Sequence, residues 1–115
     1  MTNFQKGEVY DVKPDPSVGK EILKKRPSVI VSSNVINLAS GLVVVCPITE
    51  GVGLQEDVLH VGVKKGEGGC TKDSIVLCDQ VKAVDNARLM EKRGNLEVEI
   101  MHKIDDGLRE VLGLQ

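Results

Sequence analysis

Short apolar runs rich in β-branched residues, each bounded by turn formers, follow one another up to residue 85, and the period changes only near the C-terminus. PSVIVSS (27 to 33) and LVVVCPIT (42 to 49) read as buried strands. GEVYDVK (7 to 13), DVLHVGV (57 to 63) and SIVLCDQVKAVD (74 to 85) continue the series. Five segments with so little polar alternation predict a strongly curved sheet or small barrel covered on both faces. Three loops separate them: 14 to 25, with Pro14, Pro16 and Gly19; 50 to 56, with Gly51 and Gly53; and 64 to 72, with Gly66, Gly68 and Gly69. Glycine at that density marks backbone that turns tightly or moves. NVINLASG (34 to 41) predicts a short turn of helix between strands.

From residue 96 the apolar positions take up a helical spacing. Leu96, Ile100, Ile104, Leu108, Val111 and Leu112 form one stripe, with Asn95 as the expected N-cap, Glu97 and Glu99 in the positive first turn and Gly113 placed to end the helix. Gly107 falls on the same stripe. A mid-helix glycine costs about 1 kcal/mol relative to alanine, so its position predicts that the helix backbone presses closely on the sheet there. The expected architecture is a β-rich α+β domain over residues 1–115, closed by one C-terminal helix.

Composition narrows the partners. Phe, Tyr and Trp supply only 2% of residues, so the core must be aliphatic, and few rings remain for stacking on bases. A net charge of -2 argues against coating duplex nucleic acid through bulk charge, yet Lys20, Lys24, Lys25 and Arg26 gather ahead of Pro27. No run approaches the roughly 20 apolar residues that span a bilayer, and the first residues lack the apolar core of a signal peptide, so a cytoplasmic protein without a membrane partner is expected. Cys46, Cys70 and Cys78 show no CxxC pairing, which disfavours a disulfide framework or zinc site, and Cys46 and Cys78 lie in apolar runs as buried thiols. Neither a cofactor nor a metal is implied.

Some residues invite chemistry, although each also has an ordinary structural reading. Proline biases Arg26 toward an extended conformation at a strand mouth. A guanidinium is permanently charged and suits phosphate, so it would act by electrostatic stabilisation; a plain surface arginine is the commoner case. Pro47 marks an edge or a bulge, and Thr49 beyond it offers a hydroxyl just ahead of a glycine loop, though threonine is also simply a good strand residue. Asp79 and Gln80 interrupt an apolar run, and hydrogen-bonded structural roles are commonest for such residues. His60, in a predicted strand, and His102, on the polar side of the helix, are not expected to meet.

The order of these elements is more specific than any one of them. GEVY (7 to 10), DPSVGKE (15 to 21), KRPSVIVSS (25 to 33), Asn34 and Asn37, VVVCPIT (43 to 49), KDSIVLCDQVKAVD (72 to 85) with ARL (87 to 89), and a terminal LGL (112 to 114) together resemble the MazF/PemK family of toxin endoribonucleases. The resemblance implies an SH3-like small β-barrel of the CcdB/PemK-like fold with a C-terminal helix, working as a homodimer. It implies metal-independent cleavage of single-stranded RNA, in which the 2′-hydroxyl attacks the adjacent phosphate to leave 2′,3′-cyclic phosphate and 5′-hydroxyl ends. It also implies neutralisation by a small acidic antitoxin.

The family's catalytic arginine falls on Arg26 and its strand-end Ser or Thr on Thr49. Lys20, Lys24 and Lys25 become a phosphate-attracting flank, Asp79 and Gln80 site or support residues, and Glu21 a loop contact. The PemK branch's loop histidine is replaced by Lys20 and its arginine before the CDQ element by Leu77, so the pattern sits closer to the MazF branch. The alternatives are a gyrase poison of the CcdB type, which relies on a C-terminal tryptophan that this chain lacks, and a non-catalytic RNA-binding barrel.

Overall fold

The computed structural model describes residues 3–14, 25–52 and 55–115. Among these residues seven strands and two α-helices follow one another: β1 (Glu8–Val12), β2 (Arg26–Ile30), α1 (Asn34–Ala39), β3 (Leu42–Glu50), β4 (His60–Val63), β5 (Ser74–Leu77), β6 (Lys82–Asp85), β7 (Leu89–Asn95) and α2 (Val98–Leu112). All pairings are antiparallel, in the order β4-β5-β3-β2-β1-β7, with β6 also on β3. Among the described residues no helix is long and apolar enough to cross a membrane.

Both faces of the sheet are covered, as the unbroken apolar runs predict. On one face Val9, Val29, Cys46, Ile48, Val63 and Val76 pack with Ile100, Met101 and Ile104 of α2. On the other, Tyr10, Ile30, Val43, Val45 and Val84 pack with Phe4, whose ring meets Tyr10 edge-on at 5.2 Å. Cys46, Cys70 and Cys78 are free and buried. The hydrogen bond with the neighbouring Cys78 thiol, and then burial, push the Cys46 thiol upward, so it stays protonated and packs as a small apolar group.

No pairing among the described residues joins β4 to β7, and the sheet stays open there. A glycine turn lies against the opening instead. Gly68 packs on Val9 and Leu96, while a Cβ on Gly69 would strike the Arg93 carbonyl. Both glycines have positive φ, 58° and 77°, so neither the turn nor its close approach to β7 tolerates a side chain.

The observed elements depart from the pattern at three places. The run at 74 to 85 is two strands, because Cys78–Gln80 form a 3₁₀ turn between β5 and β6. Both lie along β3: Ile48 pairs with Val76 and Val45 with Lys82, so two residues of β3 face five of the β5–β6 segment and the turn carries the surplus. Pro47, with no N–H to give, sits in that gap; it lies on a central strand rather than an edge, at the point where the opposing segment leaves the ladder. β7 was not expected at all, since LMEKRGN has no apolar alternation. Its existence displaces the expected helix cap: Asn95 pairs with Glu8 in the sheet, and Glu97 caps α2 without a side-chain hydrogen bond.

The C-terminal stripe otherwise folds as read. Leu96, Ile100 and Ile104 are buried, Leu108 and Val111 pack at the margin, and Leu112 is exposed. Gly113 ends α2 in the left-handed conformation, donating to the carbonyls of Arg109 and Glu110. A Cβ on Gly107 would lie 2.8 Å from the Val58 carbonyl and 2.9 Å from Cys78 Sγ, so the close approach is real, and it is to the turns flanking β4 and β5.

Candidate functional site

β3 is the strand around which the expected site residues are arranged. Val45 pairs with Ile30 of β2 on one edge and with Lys82 of β6 on the other. The β2 register runs Ser28 to Pro47, Val29 to Cys46 and Ile30 to Val45. The pairing ends at Ser28 and Pro47; by strand alternation Arg26, two residues before Ser28, and Thr49, two residues after Pro47, fall on the face those two share. Arg26 is exposed and opens β2; Thr49 is half-buried near the end of β3 and pairs with Ile75 on the other side. Two residues distant in sequence thus come to the same end of the β2–β3 pair, on one face.

The other expected residues divide. Asp79 and Gln80 are exposed on the 3₁₀ turn, along the edge of β3 opposite β2, so Thr49 lies on the strand between them and Arg26. Lys25 stands just before β2, with Nζ 3.9 Å from Asp11 Oδ2. Lys20, Glu21 and Lys24, and most of the loop 14 to 25, lie outside the described residues.

On the sheet face opposite Arg26 and Thr49 lies a group that sequence reasoning missed. Arg93 donates from Nη1 to Glu50 Oε1 at 3.2 Å and from Nη2 to Glu50 Oε2 at 3.3 Å. Its Nη1 is also 3.7 Å from Asp11 Oδ1. Glu50 Oε2 further accepts from the backbone N–H of Thr71 at 2.9 Å and from its hydroxyl at 3.1 Å. Burial alone would raise the Glu50 carboxyl, but the hydrogen bonds from Arg93 and Thr71 outweigh it and hold Glu50 below the usual carboxylate range. Burial likewise works against the Arg93 charge, and the Glu50 and Asp11 carboxylates more than restore it. Strand alternation beyond Thr49 would have placed Glu50 on the opposite face; Arg93 left no signal, because β7 left none.

His60 is also better connected than expected. It does not meet His102, which is exposed on α2, but its Nδ1 lies 2.8 Å from Asp57 Oδ1 and its Nε2 3.5 Å from Asp79 Oδ1. The Asp57 hydrogen bond, with help from the Asp79 charge, raises the imidazole above its ordinary value. The His60 ring therefore bridges the turn before β4 and the turn that carries Asp79 and Gln80. A cavity of about 380 Å³ opens beside it, lined by Glu56, Asp57, Val58, Val61, Lys103 and Asp106 as well as His60.

Chemically, the Arg26 and Thr49 end offers one permanent cation and one hydroxyl, a pair suited to an anionic centre with developing charge. Comparison with known proteins gives this end a context. A family model described as the PemK-like, MazF-like toxin of type II toxin-antitoxin system matches residues 5–112. The chain is 34% identical over 111 residues to endoribonuclease MazF of Staphylococcus epidermidis, covering 96% of this chain and 92% of that protein. It is 30% identical over 110 residues to endoribonuclease EndoA of Bacillus subtilis (strain 168), covering 96% and 95%. In fold it is similar to MazF in a crystal structure of MazE-MazF from Deinococcus radiodurans, with a TM-score of 0.81, 20% identity and full coverage of both chains. It is likewise similar to an endoribonuclease in complex with its cognate antitoxin from a mycobacterial species, with a TM-score of 0.75, 23% identity and coverage of 100% and 98%.

Proposed function

Because the chain belongs to the PemK-like, MazF-like toxins of type II toxin-antitoxin systems, we propose that it is a cytoplasmic, sequence-specific endoribonuclease that cleaves single-stranded mRNA and so halts translation and growth. The 2′-hydroxyl gives up its proton as its oxygen attacks the adjacent phosphorus, the bond from phosphorus to the 5′-oxygen breaks, and that oxygen takes up a proton to leave as a 5′-hydroxyl. The other product is a 2′,3′-cyclic phosphate. Negative charge builds on the non-bridging oxygens of the pentacoordinate phosphorus. Arg26 stabilises that charge and Thr49 donates a hydrogen bond to one of those oxygens.

The observation that supports this reading is the register of β2 on β3, whose ladder ends at Ser28 and Pro47 and leaves Arg26 and Thr49 two residues beyond it at the same end of the two strands. Lys25 at the same mouth draws the RNA backbone in, and exposed Asp79 and Gln80 support the site from the far edge of β3. With 2% aromatic residues, unpaired bases are read mainly by hydrogen bonds from loops and strand edges. The working form is a homodimer, and a small acidic antitoxin whose tail folds on binding neutralises it.

Induced expression tests the reading. The wild-type chain should arrest growth, and Arg26→Ala or Thr49→Ala should relieve the arrest at equal protein level. Arrest that persists in both variants, or that tracks loss of DNA supercoiling by gyrase, would remove RNA cleavage by this site as the cause.

A further inference from the structure

β7 is irregular where it passes β1. Val9 pairs with Gly94 and Tyr10 with Lys92, so Arg93 is the extra residue of a β-bulge, the device by which a strand re-aims a side chain. The re-aimed guanidinium reaches two other strands, Asp11 on β1 and Glu50 on β3. Each lies beside one member of the proposed catalytic pair. Glu50 directly follows Thr49 in the chain; Asp11 pairs with Pro27, directly after Arg26, and its other oxygen faces Lys25, directly before Arg26. Side chains alternate along strands, so the grip is on the reverse face and leaves the catalytic face free.

We propose that Arg93 is a positioning residue for the reaction: by holding Asp11 and Glu50 together it fixes the spacing of β2 and β3, and with it the separation of Arg26 and Thr49. The inference rests on the catalytic reading of those two residues. Three observations make the clamp stiff. Arg93, Asp11 and Glu50 side chains are only 17%, 15% and 23% exposed, so water screens the charges weakly. Both Nη atoms engage Glu50 in a fork that lysine cannot reproduce. The glycine turn abuts the Arg93 backbone, and Thr71 just beyond that turn donates twice to Glu50 Oε2, so neither end of the clamp swings freely. Because reactivity falls steeply with misplacement, about a hundredfold for roughly 1 Å, a loosened clamp shows in turnover before it shows in binding.

The test compares Arg93→Met, Arg93→Lys and Asp11→Asn with the wild type, using Lys92→Ala as a control that removes a neighbouring β7 ion pair, Lys92 to Glu8 at 2.8 Å. Cleavage is followed on a short RNA spanning a site mapped with the wild-type enzyme, and affinity on the same RNA made uncleavable by a 2′-deoxy nucleotide at the scissile position. Arg93→Met should lower kcat by about ten- to a hundredfold with affinity changed less than about twofold. Arg93→Lys should recover part of the loss, Asp11→Asn should lose about threefold, and Lys92→Ala should match the wild type. A folded Arg93→Met with wild-type kcat, or one whose loss lies wholly in affinity, overturns the inference. If Arg93→Met does not fold, Asp11→Asn decides, and a wild-type kcat there overturns it. Wild-type protein that leaves RNA intact defeats the catalytic reading itself, whereas an inactive Arg26→Ala beside a fully active Arg93→Met defeats the clamp alone.

Discussion

Pro27 explains why Arg26 was readable from sequence. The proline imposes an extended conformation on the residue before it, so the arginine is fixed at a strand mouth by local sterics, and β2 begins at Arg26. Thr49 was readable as the last hydroxyl before a glycine loop, but its place at the Arg26 end of β2 depends on the register of β2 on β3, which neither residue encodes. Gly107 was also legible, because a helix tolerates glycine on its buried stripe mainly where backbone must come close. Val58 and Cys78 supply the reason. Replacing Gly107 with alanine gains about 1 kcal/mol of helix propensity, but crowding a packed core costs about 1 to 3 kcal/mol, so overpacking should prevail. Chemical denaturation should find Gly107→Ala less stable than wild type, and a more stable variant would show that the contact yields easily.

Elements were legible where burial dictated their pattern and illegible where it did not. β1 to β5 and α2 lie against the core and carry apolar periodicity. β7 pairs with β1 through LMEKRGN, a charged edge-type strand held by backbone bonds and ion pairs, which leave no hydrophobic signature. The Cys78–Gln80 turn was hidden for another reason. Cys78 is buried like its neighbours in β5, so the apolar run continues through a break in the ladder.

That turn is held by His60, and the hold depends on protonation. The imidazole faces Asp57 from the turn before β4 and Asp79 from the 3₁₀ turn, with Cys78 beneath, while Glu56, Lys103 and Asp106 line the adjoining cavity. Its folded pKa is raised, so its contribution is fully present below the ordinary value of about 6.5 and is lost as pH rises through the folded value. Asp57 is shifted the other way, first by the hydrogen bond to His60, so the same contact is lost in acid as Asp57 protonates below its ordinary range. Between pH about 6 and 8 the melting temperature of the wild type should fall relative to that of His60→Gln. Parallel curves for the two proteins would show that His60 does not hold the turn.

At the scale of the molecule, β3 connects everything the function needs. It lies between β2 on one edge and β5 with β6 on the other, so Arg26, Thr49 and the Asp79–Gln80 turn are brought to one strand from three separate stretches of sequence. This answers how a chain of net charge -2 can engage RNA: Lys25 and Arg26 concentrate positive charge at one end of the sheet, while Glu56, Asp57 and Asp106 line the cavity beside α2. The family pattern made the fold legible, and its motifs fall on the strand ends that carry the proposed pair, Arg26 and Thr49. The Arg93 clamp was not legible, because it arises from a bulge between strands distant in the chain.

The central claim is that Arg26 and Thr49 cleave RNA through its own 2′-hydroxyl, and the most direct measurement reads the product ends. Purified protein is incubated with a long defined RNA in EDTA, and the 5′ ends are mapped and tested for phosphorylation by kinase. Discrete 5′-hydroxyl ends paired with 2′,3′-cyclic phosphates, absent with Arg26→Ala, are the predicted result. Intact RNA in the presence of folded wild-type protein, or the same ends at the same rate from Arg26→Ala, would contradict it.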